Sequence, residues 1–399
     1  MSKRSILFVT TQLPYPPKSG GKIKSWHYLK DLQKKYQIGL ASLLKDDDSS
    51  YIEEFQGLID FKDFYTRPLQ VNRNIISLFK SYIGFPCLNV FRNYNKEFKE
   101  KVAALAKDYD AILIDHYEVF QYVPEDYKGK VILHTHNAEF EIWKRMENLS
   151  SNPLIKIALR IEAKRVLSYE KKIISRSDLV YATPSDIECY QEVGIQTDKI
   201  KVTYHLGNDE LLDLPLTDFN ATEKAMIFMG TLSWEPNIDG LLWFIEEVYP
   251  LILKKHADLK FYILGREADD RLRIAADPFP SIELCGFVDD IGEYLKKCRV
   301  FLAPLRFGSG MKVKVLEGMY SGVPIVTTKV GAEGIEVEDQ KELLIADDAK
   351  SYAEKCIQLL EEKDLWNQVR ENGRKKAAEK YTWQPLFKMM DEDLLKTFD

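Results

Sequence analysis

Residues 303–328 read APLRFGSGMKVKVLEGMYSGVPIVTT, and the order of apolar, glycine and charged positions in this stretch decides the fold. It begins at the end of an apolar run and passes through a loop containing Gly308 and Gly310. It continues as a helical pattern from about Met311 to Ser321, stops at Gly322, and resumes as a second apolar run. Strand, glycine-rich loop, helix and strand in that order make a βα unit of a parallel sheet. The glycines leave the loop backbone open, and the first helical turn offers unpaired N–H groups at the positive end of a dipole. That combination is an anion site. Arg306 and Lys312 add two cations, so a diphosphate engages the segment more fully than a single carboxylate does. Glu317 lies seven residues after Gly310, about 20° from the same helix face, where it is placed to meet ribose hydroxyls. The plainer reading of the same residues is a structural loop and an ordinary Lys314–Glu317 surface pair at i,i+3 spacing. Other phosphate motifs do not fit: GxGxxG requires glycine where Val313 stands, and Gly20-Gly21-Lys22 lacks the flanking residues of a P-loop.

The same rhythm extends outward in both directions. Upstream, SILFVT (5–10), AILID (111–115), KVILHT (130–135) and DLVYAT (178–183) are apolar runs suited to strands buried on both faces of a parallel sheet. A second series follows in AMIFMG (225–230), KFYILG (260–265), RVFLAP (299–304) and VPIVTT (323–328), alternating with helical patterns at 238–255, 289–297 and 312–321. Two successive βα series predict two doubly wound domains. Between them LGNDELLDLPLTDFNA is acidic, contains Pro215 and fits neither helix nor strand. We therefore divide the chain into residues 1–207, residues 208–380 and a C-terminal helix at 381–399 that opens with YTWQPLF.

Composition agrees with an ordinary globular chain. It has 399 residues, 45% hydrophobic and 30% charged, enough to build two cores. A net charge of −6 argues against a nucleic-acid partner, whose affinity comes largely from phosphate neutralisation. Cys87, Cys189, Cys285, Cys298 and Cys356 are odd in number and show no CxxC spacing, so they read as reduced core thiols of a cytoplasmic protein. The N-terminal MSKRSILFVTTQLPYPP lacks the long apolar region of a signal peptide, and no stretch approaches the ~18 apolar residues of a membrane span.

Residues 227–335, from IFMGTLSWEPNIDGLLWF through GFVDDI to PLRFGSGMKVKVLEGMYSGVPIVTTKVGAEGI, resemble the donor domain of glycosyltransferase family 4, a retaining family. The resemblance extends weakly over nearly the whole chain, taking in P-x-x-x-G-G from Pro16 to Gly21 and HNAEFEIW from His136. It implies an α/β fold of GT-B architecture: two Rossmann-like domains, an interdomain cleft holding the nucleotide sugar, and a C-terminal helix returning to the N-terminal domain. The implied activity is that of a metal-independent retaining hexosyltransferase with no cofactor. It moves a sugar from a nucleotide-diphosphate sugar, UDP-linked by default, to a glycan or lipid-linked acceptor in bacterial surface polysaccharide synthesis. A sugar-nucleotide epimerase and a catalytically silent sugar-nucleotide-binding protein are the alternatives on the same architecture.

Carried over residue by residue, the family's second motif glutamate matches Glu317, while its first falls on Ser309. The family's G-R-L-x-x-x-K grip on the diphosphate is absent, since Gly230, Thr231, Leu232 and Pro236 stand there. Arg306 and Lys312 replace it, in the R-x-G-x-G-x-K spelling of a sub-group. His136 matches the histidine near the sugar and joins Arg306 and Lys312 as a catalytic candidate. The donor-binding set is Gly20, Gly21, Gly230, Gly265, Val288, Gly308, Ser309, Gly310, Met311 and Glu317. No metal ligand is expected. HExxH and clustered histidine ligands are missing from the sequence, and Asp46-Asp47-Asp48 reads as a solvated loop. Residues 72–89 and the helical pattern at 154–176, with Lys156, Arg160, Lys164, Arg165, Lys171, Lys172 and Arg176, suit an anionic membrane surface at the cytoplasmic face.

Overall fold

The computed structural model describes residues 3–17, 20–45, 48–69, 80–308 and 310–399. Chain contacts separate two compact units, Met1–Tyr204 together with Leu386–Asp399, and His205–Pro385. The sequence had suggested divisions after residues 207 and 380.

In unit 1 the described residues form a parallel sheet of β1 (Ser5–Thr10), β2 (Gln37–Leu44), β3 (Phe61–Pro68), β4 (Ala111–Asp115), β5 (Lys130–His134), β6 (Leu179–Ala182) and β7 (Ile200–Val202), in the order β3-β2-β1-β4-β5-β6-β7. β1 and β4 are buried at every position because helices cover both faces. Edge strand β3 is only partly buried. The order reverses between β1 and β4, the switch point at which open α/β sheets place ligands beyond the strand carboxyl ends. Leu386–Asp399 packs into this unit: Tyr181 donates its hydroxyl to the Met390 carbonyl at 3.0 Å, and Lys35 pairs with Asp391.

Unit 2 repeats the plan with β8 (Ala225–Met229), β9 (Lys260–Leu264), β10 (Ile282–Gly286), β11 (Val300–Ala303), β12 (Ile325–Thr327) and β13 (Leu344–Ile345), ordered β10-β9-β8-β11-β12-β13 with parallel pairing. Each unit has its own apolar core, one centred on residues such as Leu7, Ile112 and Val180, the other on Phe228, Phe261 and Leu302. The helical pattern at 238–255 is not one regular helix. It runs as Glu235–Trp243, a wider turn Phe244–Val248 and a short helix Tyr249–Leu253. Pro250 has no N–H to return to Glu246, so the bonding ladder shifts there. The helix expected at 289–297 starts at Gly292, where the Asp290 carboxylate accepts the Gly292 N–H at 2.8 Å.

Cys87, Cys298 and Cys356 are buried free thiols, while Cys189 and Cys285 are only partly buried. Asp48 corrects the reading of its run as a solvated loop. It is 1% exposed and accepts from the Leu13 and Lys45 backbone N–H groups and from Lys22 at 2.6 Å. Asp46 and Asp47 lie outside the described residues.

Candidate active site

In unit 2 the loop after β11 leads into the helix Val313–Ser321, which ends at Gly322 in the left-handed conformation the sequence requires of a stop (φ 69°). Gly308 (φ 124°) and Gly310 (φ 71°) also take backbone angles that a side chain disfavours, so the glycine spacing is a geometric need of the loop. Ser309 between them lies outside the described residues. Lys312 precedes the helix and is 5% exposed; its ammonium donates to the Gly310 carbonyl and sits 3.7 Å from a Glu333 oxygen. Met311 beside it is buried. Arg306 makes a two-pronged pair with Asp239 at 2.8 and 2.6 Å. Both cations read from the sequence thus have an anionic neighbour within the unit.

Lys314 does not form the surface pair with Glu317 that the spacing suggests. Its side chain crosses to the carboxyl end of β8, donates to the Asn237 side chain, and rests 4.2 Å from the centre of the Phe228 ring. Asn237 is 2% exposed and in turn donates to the Thr231 carbonyl at 2.8 Å. A methyl group at Gly230 would lie 2.8 Å from the Lys314 ammonium, so that glycine makes room for the lysine. Gly265 has a related reason: a methyl there would lie 1.9 Å from the Gly230 carbonyl oxygen. Val288 is half-buried, two residues past β10. Glu317 turns to Gly207 and Asn208. A methyl at Gly207 would stand 2.7 Å from its Cγ, and its carboxylate accepts the Asn208 N–H. Trp383 fixes that loop by donating to the Gly207 carbonyl at 3.0 Å. Burial pushes Lys314 down to about 7 and Glu317 up to about 7.

In unit 1 the sequence reading of no clustered histidines is overturned. β4 ends in Asp115, and His116, His134 and His136 gather around it. Asp115 Oδ1 accepts from His134 Nδ1 and His136 Nε2, each at 2.8 Å, while Oδ2 accepts from Thr10 at 3.0 Å and Ser25 at 2.6 Å. His116 adopts φ 83°, a strained angle for a side-chain-bearing residue, and stacks on His136 at 3.6 Å. Burial lowers all three rings to about 4. Burial opposes ionisation of Asp115 too, but His136, His116 and His134 more than offset it and hold the carboxyl well below its usual range. At neutral pH the anion is therefore Asp115, and the rings serve as neutral N–H donors. This assigns the His136 proton to Nε2 and leaves Nδ1 as an acceptor, on the side where a methyl at Gly21 would lie 3.7 Å away. Gly20 opens the helix Gly20–Lys35 that carries Gly21.

The turn holding His136 is itself fixed by buried carboxylates: Glu170 accepts from Glu139 and Phe140, and Asp186 from Ala138. Lys24, fully buried, has no hydrogen-bond partner for its ammonium among the described residues. Asp115, His134 and His136 also bring possible metal-ligand atoms within 4.8 Å of one another. Both facing ring nitrogens already donate to Asp115, so a metal there would have to displace two hydrogen bonds.

Residues 223–362 match the family described as glycosyl transferases group 1. The matched residues all lie in the second unit. Gly230, Lys314 and Glu317 fall within the matched residues. Over 367 residues the chain is 26% identical to an uncharacterized 44.6 kDa protein in the cps region of Klebsiella pneumoniae, covering 88% of this chain and 90% of the relative. It is 23% identical over 270 residues to the lipopolysaccharide core biosynthesis mannosyltransferase LpsB of Rhizobium meliloti, covering 60% and 75% respectively. Among solved structures, Anabaena HepE in complex with UDP and glucose aligns at a TM-score of 0.69 and 14% identity, covering 98% of this chain and all of that one. The sucrose-phosphate synthase of Thermosynechococcus elongatus aligns at 0.67 and 14%, covering 99% of each. These likenesses identify the two-domain α/β arrangement as the GT-B fold.

Proposed function

We propose that the chain is a retaining glycosyltransferase that transfers a sugar from a UDP-sugar to a glycan or lipid-linked acceptor in bacterial surface polysaccharide synthesis, without a metal ion. The observation that carries this reading is the start of the helix Val313–Ser321. Lys312 and Lys314 stand at its positive dipole end, and its first turn contains no acidic residue. Cations are unfavourable there, and a diphosphate relieves the conflict. The group 1 match over the same residues, the UDP complexes of HepE and the lipopolysaccharide core biosynthesis name of LpsB support the reading. Charge growing on the leaving diphosphate would be stabilised by those fixed cations and helix N–H groups. His136 would orient the sugar, and Glu317 would meet the ribose.

A thermal-shift panel of UDP-, GDP- and ADP-sugars tests the donor. At 100 times its dissociation constant the true donor adds ~2.7 kcal/mol of stability, and the shift should shrink in Glu317→Ala. Sugar transfer abolished by a chelator and restored by manganese would overturn the metal-free part.

Attachment to an anionic membrane is a further part of the proposal. The helix Pro153–Arg176 exposes Leu154, Ile155, Ile157 and Ile161 beside Lys156, Arg160 and Lys164. Arg165 and Arg176 instead turn inward to carbonyls of Ser81, Phe85, Val123 and Pro124. Residues 72–79 of the other basic segment, 72–89, lie outside the described residues. Co-sedimentation with anionic liposomes at low salt and release at high salt is the expected result; no binding at low salt would remove membrane attachment from the proposal.

A further inference from the structure

We propose that Lys314 is a side chain that contacts the diphosphate of the donor, beside the Arg306 and Lys312 of the glycine-rich loop. The inference rests on the nucleotide-sugar reading above and names a residue which neither the sequence pattern nor the family resemblance supplied.

Three cations surround the glycine-rich loop, and their partners differ. Arg306 is held by both oxygens of Asp239. Lys312 is held by the Gly310 carbonyl, with Glu333 at 3.7 Å. Lys314 has as hydrogen-bond partner only the neutral Asn237 side chain, and forms no ion pair among the described residues. A partly buried ammonium without a counter-charge is costly, and a position in the first turn of a helix adds to the cost.

Several features nevertheless hold it in place. Asn237 is buried and anchored to the Thr231 carbonyl, the Phe228 ring lies beneath the ammonium, and Gly230 leaves the space that the lysine fills. The ammonium is thereby fixed at the carboxyl end of β8, in the mouth of the sheet where an open α/β fold receives ligands. A built position for an uncompensated cation is what a bound anion requires.

The charged groups acting on Lys314 are Glu317 on its own helix and Lys312 just before it; from β8 and the helix Glu235–Trp243 the facing side chains are Phe228 and Asn237, both neutral. Burial already lowers the lysine to about 7. Its charged form is thus lost as pH rises through neutrality, and an anion that binds it must draw a proton onto it.

UDP binding to the full chain, measured by titration calorimetry at pH 7.0 and 8.5, tests the proposal with Lys314→Met, Lys314→Arg and Glu317→Gln. At pH 7.0 Lys314→Met should bind UDP about 10- to 100-fold more weakly, the loss of one charged hydrogen bond. The wild type should lose roughly 10-fold in affinity between the two pH values. Glu317→Gln should keep that slope, and Lys314→Arg, whose charge persists, should abolish it. Binding by Lys314→Met within about threefold of the wild type overturns the inference. If Lys314→Met fails to fold, the slope in Lys314→Arg decides, and a slope equal to that of the wild type overturns it. UDP binding that responds in none of these ways, but remains tight, leaves the nucleotide-sugar reading standing and removes Lys314 from it. Failure of the wild type to bind UDP, GDP or ADP overturns the functional reading and the inference together.

Discussion

Replacing Lys312 with Ala is expected to lower kcat by on the order of 10²–10³, the loss typical of one preorganised charge donor at a leaving group. Its ammonium lies 5% exposed and ties down the Gly310 carbonyl. The substitution therefore removes a fixed charge and also frees a loop whose two glycines sit at φ 124° and 71°. Arg306→Ala should cost less, about 10-fold, because Asp239 already neutralises the half-exposed guanidinium and water screens it. Turnover at saturating donor is the measurement, with melting temperature as the folding control. Unchanged turnover in folded Lys312→Ala would separate the loop from the chemistry.

Asp115→Asn is expected to be severe in a different way. The carboxylate is fully buried and accepts four hydrogen bonds, from Thr10, Ser25, His134 and His136. An amide presents N–H groups where one of its oxygens received donors, and it removes the anion that orders the rings. Breaking a buried charged network costs about 3–5 kcal/mol, which should appear as a fall in melting temperature of roughly 10 °C. The surviving folded protein should turn over on the order of 10² more slowly, because the His136 tautomer is no longer fixed. The melt and the turnover are measured on the same preparation; normal values for both would show that Asp115 neither supports the unit nor orients His136.

All the strands inside the two sheets except β2 were legible in the sequence, because burial on both faces leaves unbroken apolar runs. SILFVT and AILID coincide with β1 and β4. β10 was not, since it lies at a sheet edge and is only partly buried, and the two-residue β13 is too short for any pattern. The glycine-rich loop and helix stop were readable because φ angles demand glycine locally. Lys314 was hidden for the opposite reason. Its partner Asn237 is 77 residues away, while Glu317 at i,i+3 offered a nearer explanation. Asp115 carried one signal, a carboxylate closing an otherwise apolar buried strand, but its meaning depended on histidines drawn from the ends of β4 and β5. Buried polar networks are assembled by the fold, and spacing along the chain does not announce them.

The division of unit 1 into two stretches of sequence bears on the order in which the protein takes shape during synthesis. Unit 2 is continuous, His205–Pro385, and can close as soon as it has left the ribosome. Unit 1 is begun earlier but waits until Leu386–Asp399 is made. Until then Tyr28 lacks the Phe387 ring that meets it at 6.1 Å, Tyr181 lacks the Met390 carbonyl, and Lys35 lacks Asp391. The half that is translated first is thus completed last, and the interval is one in which its apolar surface stands open to chaperones or to neighbouring chains.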